Sequence, residues 1–442
     1  MFIVAQDVHM PLYHILFHFW TIFFGTSTEA IRFMSFLFFV ACLPFIYLLA
    51  RTVVSRPWAL FAATLFTLSP FANWYANEAR MYTLLALTSI ISQYFFVRIM
   101  KGQKNSWPWY TLAAIVGAYS HYFFMFGLLA QAIFYFFNVK RFPKRTFVKF
   151  IGVAVAVIIA ISPWIIYFLM QGAASTTRPR IAEPTPIDFF NVYSQFIFGF
   201  QSIGINTMLV SAWPLMVVLA LVTVRRFTNP TFPVSYILVA AIVPVLIAFT
   251  LSFIISPFFL SRYMIAAVAP ICILIVWLLA RYSKKVAITV SVLLVLLSST
   301  LFIQQMRSQQ TPVRENFQQV SDYITKEATP RDAIAMSSPF TVYPFEYYYK
   351  GTLQIRTLPP WDRQNPGPVS AFSLDTLPKQ VDDLKKGHEY IYLILSYDQG
   401  YEEAIRTYFR DNYELVEQKT FSPKLTLLKF RVGYNDPVSF SK

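Results

Sequence analysis

Between residues 29 and 304, apolar runs long enough to cross a bilayer follow one another along the chain. A run of about 20 apolar residues spans the hydrocarbon core as a helix, because a helix satisfies its own backbone hydrogen bonds. Such segments can be placed near 31–50, 57–74, 82–99, 108–120, 122–139, 149–170, 206–224, 232–255, 263–280 and 286–304. The fourth and fifth are short and share a tight turn at Ser120-His121. Only 13% of the residues are charged, against about 25% in a soluble domain. The expected fold class is an α-helical polytopic membrane protein of about ten transmembrane helices with a soluble part attached.

Basic residues sort the loops. Arg51 and Arg56, Lys101 and Lys104, then Lys140, Arg141, Lys144 and Arg145, then Arg225 and Arg226, then Arg281, Lys284 and Lys285 fill every second connection, and these connections hold no Asp or Glu. Such loops stay in the cytoplasm. The net charge of +15 is thereby a matter of topology, and no nucleic-acid partner is expected. The outer segments are then 1–28, 75–81, the turn near 121, 171–205 and 256–262, and residues 306–442 lie outside as well. No basic n-region precedes Asp7, so no signal peptide is expected. Cys42 and Cys272 lie in apolar runs and read as small buried hydrophobes, with no disulfide framework or thiolate metal site.

The division expected is an outer interfacial segment over 1–28, a transmembrane domain over 29–305 and an extracytoplasmic α/β domain over 306–442. The first contains "QDVHMPLYHILFHFW", residues 6–20, with Asp7 and three of the five histidines. Residues 11–24 read as an amphipathic helix in the outer interface, with Leu12, Ile15, Leu16 and Phe19 as its apolar face and His14 and His18 one turn apart as anchors. The stretch 171–205 reads as a polar outer loop followed by an interfacial helix, either covering a lipid-lined cleft or serving as a connector. In the last domain, helices are expected in "PVRENFQQVSDYITKEA", "SLDTLPKQVDDLKKG" and "YEEAIRTYFRDNY". Strands are expected in "DAIAMSS" and "EYIYLILSY", with a closing hairpin of "YELVEQKTF" and "LTLLKFRV". It lacks a Gly-rich phosphate loop and reads as a lid or acceptor-docking module, or else a structural appendage.

Charge at or inside a membrane is costly and therefore informative. On this topology the rare polar residues gather on the outer side: Asp7 and His9, Glu78 and Arg80 in "NWYANEARMY", His121 in "YSHYFF", and Arg262 with Tyr263 in "SPFFLSRY". Arginines suit a phosphate. A carboxylate suits a general base for a hydroxyl or amine. His9 and His121 beside carboxylates suit a divalent metal ion, the one cofactor these residues suggest. Apolar walls suit a lipid tail. Together they point to sugar transfer from a lipid-phosphate donor. Each residue also has an ordinary reading: Asp7 as a helix N-cap, Glu78 and Arg80 as a local salt bridge, Arg262 as a snorkelling cation, His121 as a turn residue.

Several segments resemble bacterial GT-C-fold membrane glycosyltransferases, family-39-like, the group of protein O-mannosyltransferase and aminoarabinose transferase relatives. These are "DVHMPLYHILFHFW", "LSPFANWYANEARMYTLLAL", "YSHYFFMFGLLAQ" and "FFLSRYMIAAVAP", with "RENFQQVSDYI", "RDAIAMSSP" and "FEYYYKG" in the C-terminal part. The resemblance implies an inverting transferase that uses a polyprenyl-phosphate sugar in a cell membrane. By position, Glu78 matches the acidic residue of the second outer loop and Arg80 the arginine after it, Asp7 and His9 match the segment beside the first-loop active site, and Arg262 and Tyr263 match a donor-phosphate region; a divalent metal nearby would fall to His9 and His121. Glu78 and Asp7 are then the acid–base or metal-linked candidates, and Arg80 and Arg262 the groups that stabilise the leaving phosphate. The acceptor would be a lipid, glycan or protein. Met10 replaces the usual proline. Family members also carry a transmembrane helix and an acidic loop ahead of this segment, where this sequence has only "MFIVAQ". The aspartate of that loop, the usual base, is expected to be missing. The expectations from this are a longer natural chain, a fragment, or a remnant that binds or helps export a lipid-linked sugar.

Overall fold

The computed structural model describes residues 9–170, 181–226, 231–308, 312–362 and 369–433. They form two compact units that meet in sequence between Arg307 and Ser308.

The first unit is helical. Helix α1 (Leu12–Phe24) precedes α2 (Thr28–Ala50), α3 (Arg56–Leu68), α4 (Pro70–Ala76) and α5 (Tyr82–Met100). Then come α6 (Trp107–Ser120), α7 (Phe124–Phe137), α8 (Lys144–Met170), α9 (Pro186–Phe198), α10 (Ile203–Ser211), α11 (Trp213–Arg226) and α12 (Phe232–Ile254). A 3-10 segment, Ser261–Ala267, leads into α13 (Val268–Leu279), and α14 (Lys284–Arg307) closes the unit. Among the described residues, 6 helices are long and apolar enough to cross a membrane, or up to 7 if the pair α9 with 203–218, bent by 103°, counts as one span.

The expected segments are helical, but four of them are not single full-length spans. The one near 57–74 breaks at Ser69, which precedes Pro70. Proline keeps Ser69 extended (ψ 117°), and the Ser69 hydroxyl caps the next helix by accepting from the Ala72 N–H. The pair 108–120 and 122–139 folds as two helices of 14 residues each. The segment 206–224 belongs to the bent pair.

Helix α5 is central. Its polar residues Thr83, Thr88, Ser89, Ser92 and Gln93 are all buried. Over 19 residues it rises about 28 Å, close to the hydrocarbon thickness. At its C-terminal end lie the basic connections, where Lys101 Nζ donates to the Thr52 carbonyl at 3.3 Å. The candidate site lies at the other end. The α6–α7 hairpin closes tightly because Gly117 has no side chain: a Cβ there would overlap the Phe124 ring. Gly199, with φ +73°, makes the turn after α9. Beside it Gln305 Nε2 donates to the Pro70 carbonyl and Gln305 Oε1 accepts from the Phe200 N–H, both at 2.8 Å, tying α4, α9 and α14 together.

In α1 the face turned to the protein is aromatic. Tyr13 is buried against Met34, Met81 and Leu84, flanked by Leu12, Phe17 and Trp20, while Leu16 and Phe19 are exposed. Of the expected apolar face, only Leu12 joins this packing. His14 stacks on His9 at 6.1 Å, and His18 is exposed.

The second unit is a small α/β domain: α15 (Phe317–Glu327), β1 (Asp332–Met336), α16 (Val342–Tyr348), β2 (Ile355–Thr357), α17 (Leu377–Lys385), β3 (Tyr390–Leu395), α18 (Glu402–Asn412), β4 (Glu414–Ser422) and β5 (Leu425–Arg431). The sheet order is β2-β1-β3-β5-β4, parallel over the first three strands and antiparallel beyond. Ala333, Ala335, Ile391, Leu393 and Phe430 pack with residues of α17 and α18 on one face. Ile334, Met336, Tyr392, Ile394 and Leu427 pack with α15 and α16 on the other. The expected α/β domain is therefore present, with α16 and β2 added.

Candidate active site

The site begins at the turn between α4 and α5. The Arg80 N–H donates to the Glu78 carbonyl at 2.7 Å, and Arg80 Nε lies 3.4 Å from Glu78 Oε1, so the two side chains form an ion pair. The turn is fastened from beneath. Ser35 Oγ on α2 donates to the Arg80 carbonyl at 3.3 Å and lies 3.0 Å from the Tyr13 hydroxyl of α1. Three elements thus fix the height of the Arg80 backbone while leaving its side chain 53% exposed.

Tyr82 follows two residues later, at the first turn of α5, and is 1% exposed. Its ring meets Tyr75 at 5.0 Å, His121 at 6.1 Å and Tyr263 at 6.3 Å. Tyr263 in turn stacks on Phe123 at 4.4 Å and lies 5.5 Å from His121. Arg262 lies over the Tyr263 ring at 5.3 Å. Its Nε has no hydrogen-bond partner, and no carboxylate lies within 4 Å of it among the described residues. The tyrosine cluster therefore gathers α4, α5, the α6–α7 turn and the 3-10 segment onto one floor, with Arg80 and Arg262 at its edge.

Electrostatics follow from this packing. Burial pushes the Glu78 carboxyl above its ordinary range, while Arg80 and Arg262 pull it back. A third of the Glu78 side chain is reachable by water, yet protein surrounds the carboxyl on its other sides. Burial, then the charges of Arg80 and Arg262, hold His9 down at about 4. Burial, with His9 and Arg262 adding, holds His121 at about 3. Both imidazoles are therefore neutral at pH 7. His121 Nδ1 accepts from the Phe123 N–H at 3.1 Å, and its Nε2 has no partner among the described residues.

The structure brings His9, Glu78, Arg80, His121, Arg262 and Tyr263 to one end of the helical unit, close enough for their charges to act on one another. Asp7 lies outside the described residues. Sequence reasoning passed over Tyr82, although it closes the "EARMY" run, and Tyr75 and Phe123 beside it. Among the described residues no group of three His, Cys, Asp or Glu side chains is placed to hold a metal ion. His9 and His121 alone do not make such a site.

Below this floor, between α5, α6, α7 and α8, lies an apolar cavity of about 800 Å³. Met125 and Phe126 line its upper end, one turn beyond His121, and Phe136 and Phe147 its lower end. The arrangement is a cationic, tyrosine-floored site above a greasy hollow.

This architecture is shared with solved membrane enzymes. ArnT from Cupriavidus metallidurans in the apo state superposes with a TM-score of 0.62 at 12% identity, covering 95% of this chain and 87% of that one. The same protein bound to undecaprenyl phosphate gives 0.58 at 10% identity over 95% and 87%. The Archaeoglobus fulgidus oligosaccharyltransferase, in complex with Zn and sulfate, gives 0.53 at 14% identity, over 87% of this chain and 59% of that chain. The chain is a membrane protein of the GT-C glycosyltransferase fold. Residues 8–167, which carry most of the site, match the dolichyl-phosphate-mannose-protein mannosyltransferase family. No curated protein sequence matches the chain.

Proposed function

We propose that this protein is a glycosyltransferase that takes a sugar from a polyprenyl-phosphate donor at the outer face of a bacterial cell membrane and passes it, with inversion, to a hydroxyl or amine of a lipid, glycan or protein. The observation that carries this reading is the meeting of Arg80, Arg262 and Glu78 on one tyrosine floor, with an apolar cavity that begins at Met125 and Phe126, the latter packed on Phe123 of that floor. A phosphate suits the two guanidiniums and an isoprenoid tail suits the cavity. The fold likeness to an ArnT solved with undecaprenyl phosphate supports the same donor class.

In this reading the acceptor oxygen or nitrogen attacks the anomeric carbon as the bond from that carbon to the phosphate oxygen breaks. The bonding pair leaves with the phosphate. Arg80 and Arg262 stabilise the charge that grows on it, and Tyr263 shapes the same end. The acceptor proton passes to a carboxylate. Glu78 is the described candidate, its basicity raised toward working pH by burial, and Asp7 is the second. A divalent ion on His9 and His121 would need a further ligand. The domain from 306 onward would lie outside the membrane, where it would dock the acceptor or cover the site.

The test is turnover of a labelled lipid-phosphate sugar by the reconstituted full chain and by Glu78→Gln. Loss of turnover with retained donor binding supports the assigned role. Unchanged turnover removes Glu78 from the chemistry.

A further inference from the structure

Arg262 and Tyr263 are carried by seven residues of 3-10 helix, Ser261–Ala267. Runs of this geometry longer than 3–4 residues are uncommon, because their hydrogen bonds are poorer than those of an α-helix. The sequence explains why the turn stays tight. In an α-helix the Ala266 carbonyl would accept from the residue four positions on. That residue is Pro270, which has no N–H and whose ring crowds the carbonyl four residues back. The α-helix that starts at Val268 therefore cannot extend backward through Ala266 with regular bonding.

A buried side chain of another helix takes the place of the missing donor. Gln93 on α5, 4% exposed, donates from Nε2 to the Ala266 carbonyl at 3.3 Å, across 173 residues of sequence. In a membrane interior no water supplies that bond. Nothing else about Gln93 accounts for a primary amide at this depth: its Oε1 has no partner among the described residues.

We infer that Gln93 is a positioning residue, which together with Pro270 locks 261–267 in 3-10 form and so sets the direction of Arg262 and Tyr263. The geometric stake is large. A 3-10 helix turns about 120° per residue and rises about 2.0 Å, an α-helix about 100° and 1.5 Å. Over the six steps from Val268 back to Arg262, rewinding as α would swing Arg262 by about 120° and draw it about 3 Å along the axis. Gln93 itself touches no reacting group; it acts through the arginine. The functional consequence rests on the donor-phosphate reading given above, whereas the lock itself does not.

The experiment separates the two. Gln93→Met keeps the length and bulk of the side chain and removes the donor. Ser261→Cys places a thiol at the start of the 3-10 segment, and its rate of reaction with a water-soluble maleimide reads the local backbone with no ligand present. The expected result is a several-fold change in that rate when Gln93→Met is added. Binding of undecaprenyl phosphate in detergent is expected to weaken about tenfold. In an Arg262→Gln background Gln93→Met should add no further loss, because residues acting through one another are not additive. An unchanged thiol rate overturns the lock. A changed rate with additive binding losses overturns action through Arg262. A changed rate with binding intact in both Gln93→Met and Arg262→Gln instead overturns the donor-phosphate reading and leaves the lock standing.

Discussion

Two guanidiniums face the proposed phosphate, and the structure predicts that they are unequal. Arg80 is paired with Glu78 at 3.4 Å and is 53% exposed. Arg262 is partly buried and has no carboxylate within 4 Å among the described residues. Two unit charges 4 Å apart interact by about 1 kcal/mol in water and about 4 kcal/mol at an effective dielectric near 20. Arg80, half neutralised by Glu78, belongs at the lower limit, and Arg262, with no such carboxylate among the described residues, nearer the upper. Arg262→Gln should then cost about 3 kcal/mol of undecaprenyl-phosphate affinity, a little over a hundredfold in Kd, and Arg80→Gln about 1 kcal/mol, near fivefold. Removing Arg80 also strips Glu78 of its cation. Burial already raises that carboxyl, so it takes up a proton more readily and adds little repulsion. The assay is fluorescence or calorimetric titration of the purified protein in detergent at pH 7 and moderate salt. Equal losses, or a larger loss in Arg80→Gln, would refute the assignment of Arg262 as the dominant cation.

Other outcomes follow from the same geometry. His121 and His9, held at about 3 and about 4, bind fewer protons folded than unfolded below pH 6.5, so stability is full above that pH and is lost as pH falls toward 3. Thermal unfolding in detergent should show this loss, and His121→Phe should flatten it by an amount on the order of a few kcal/mol. Gly199→Ala should destabilise by about 2–3 kcal/mol, because φ is +73° and the new methyl overlaps the Gln305 side chain and Pro70; a melting temperature within a degree of wild type would contradict the tie between α4, α9 and α14. The rate of transfer should rise with pH through the raised Glu78 titration, and that limb should vanish in Glu78→Gln.

What could be read from the chain before its structure was known divides by range. The helix–strand alternation of the C-terminal domain is a local pattern, and seven of its nine described α-helices and strands follow it. The missed β2 is three residues long and α16, "VYPFEYY", carries a proline and no clear apolar stripe. Membrane segments were legible from apolar length, while their breaks depended on single residues such as Pro70 and Gly199. In α1 Leu12, Ile15, Leu16 and Phe19 read as the apolar face of an interfacial helix, but the side turned to the protein was not legible: Tyr13, Phe17 and Trp20 pack there because their rings fill the space against Met34 and Met81. The polar residues of the site were legible as rare charges on one side of a topology. The floor beneath them was not, because Tyr75, Tyr82, Phe123 and Tyr263 meet only through tertiary packing. Gln93 and Pro270 lie 177 positions apart and are related by one carbonyl, a connection no spacing rule contains.

The central claim is that a lipid phosphate rests on this floor with its tail in the cavity below. Its most direct test is photo-crosslinking of the reconstituted full chain with two polyprenyl phosphates, one bearing a diazirine on the isoprene unit next to the phosphate and one bearing it several units along. The first probe should label peptides from 75–82, 121–126 and 258–263, the second peptides from α7 and α8 that line the cavity, and unlabelled undecaprenyl phosphate should compete both away. Competable labelling confined to other helices would contradict the claim.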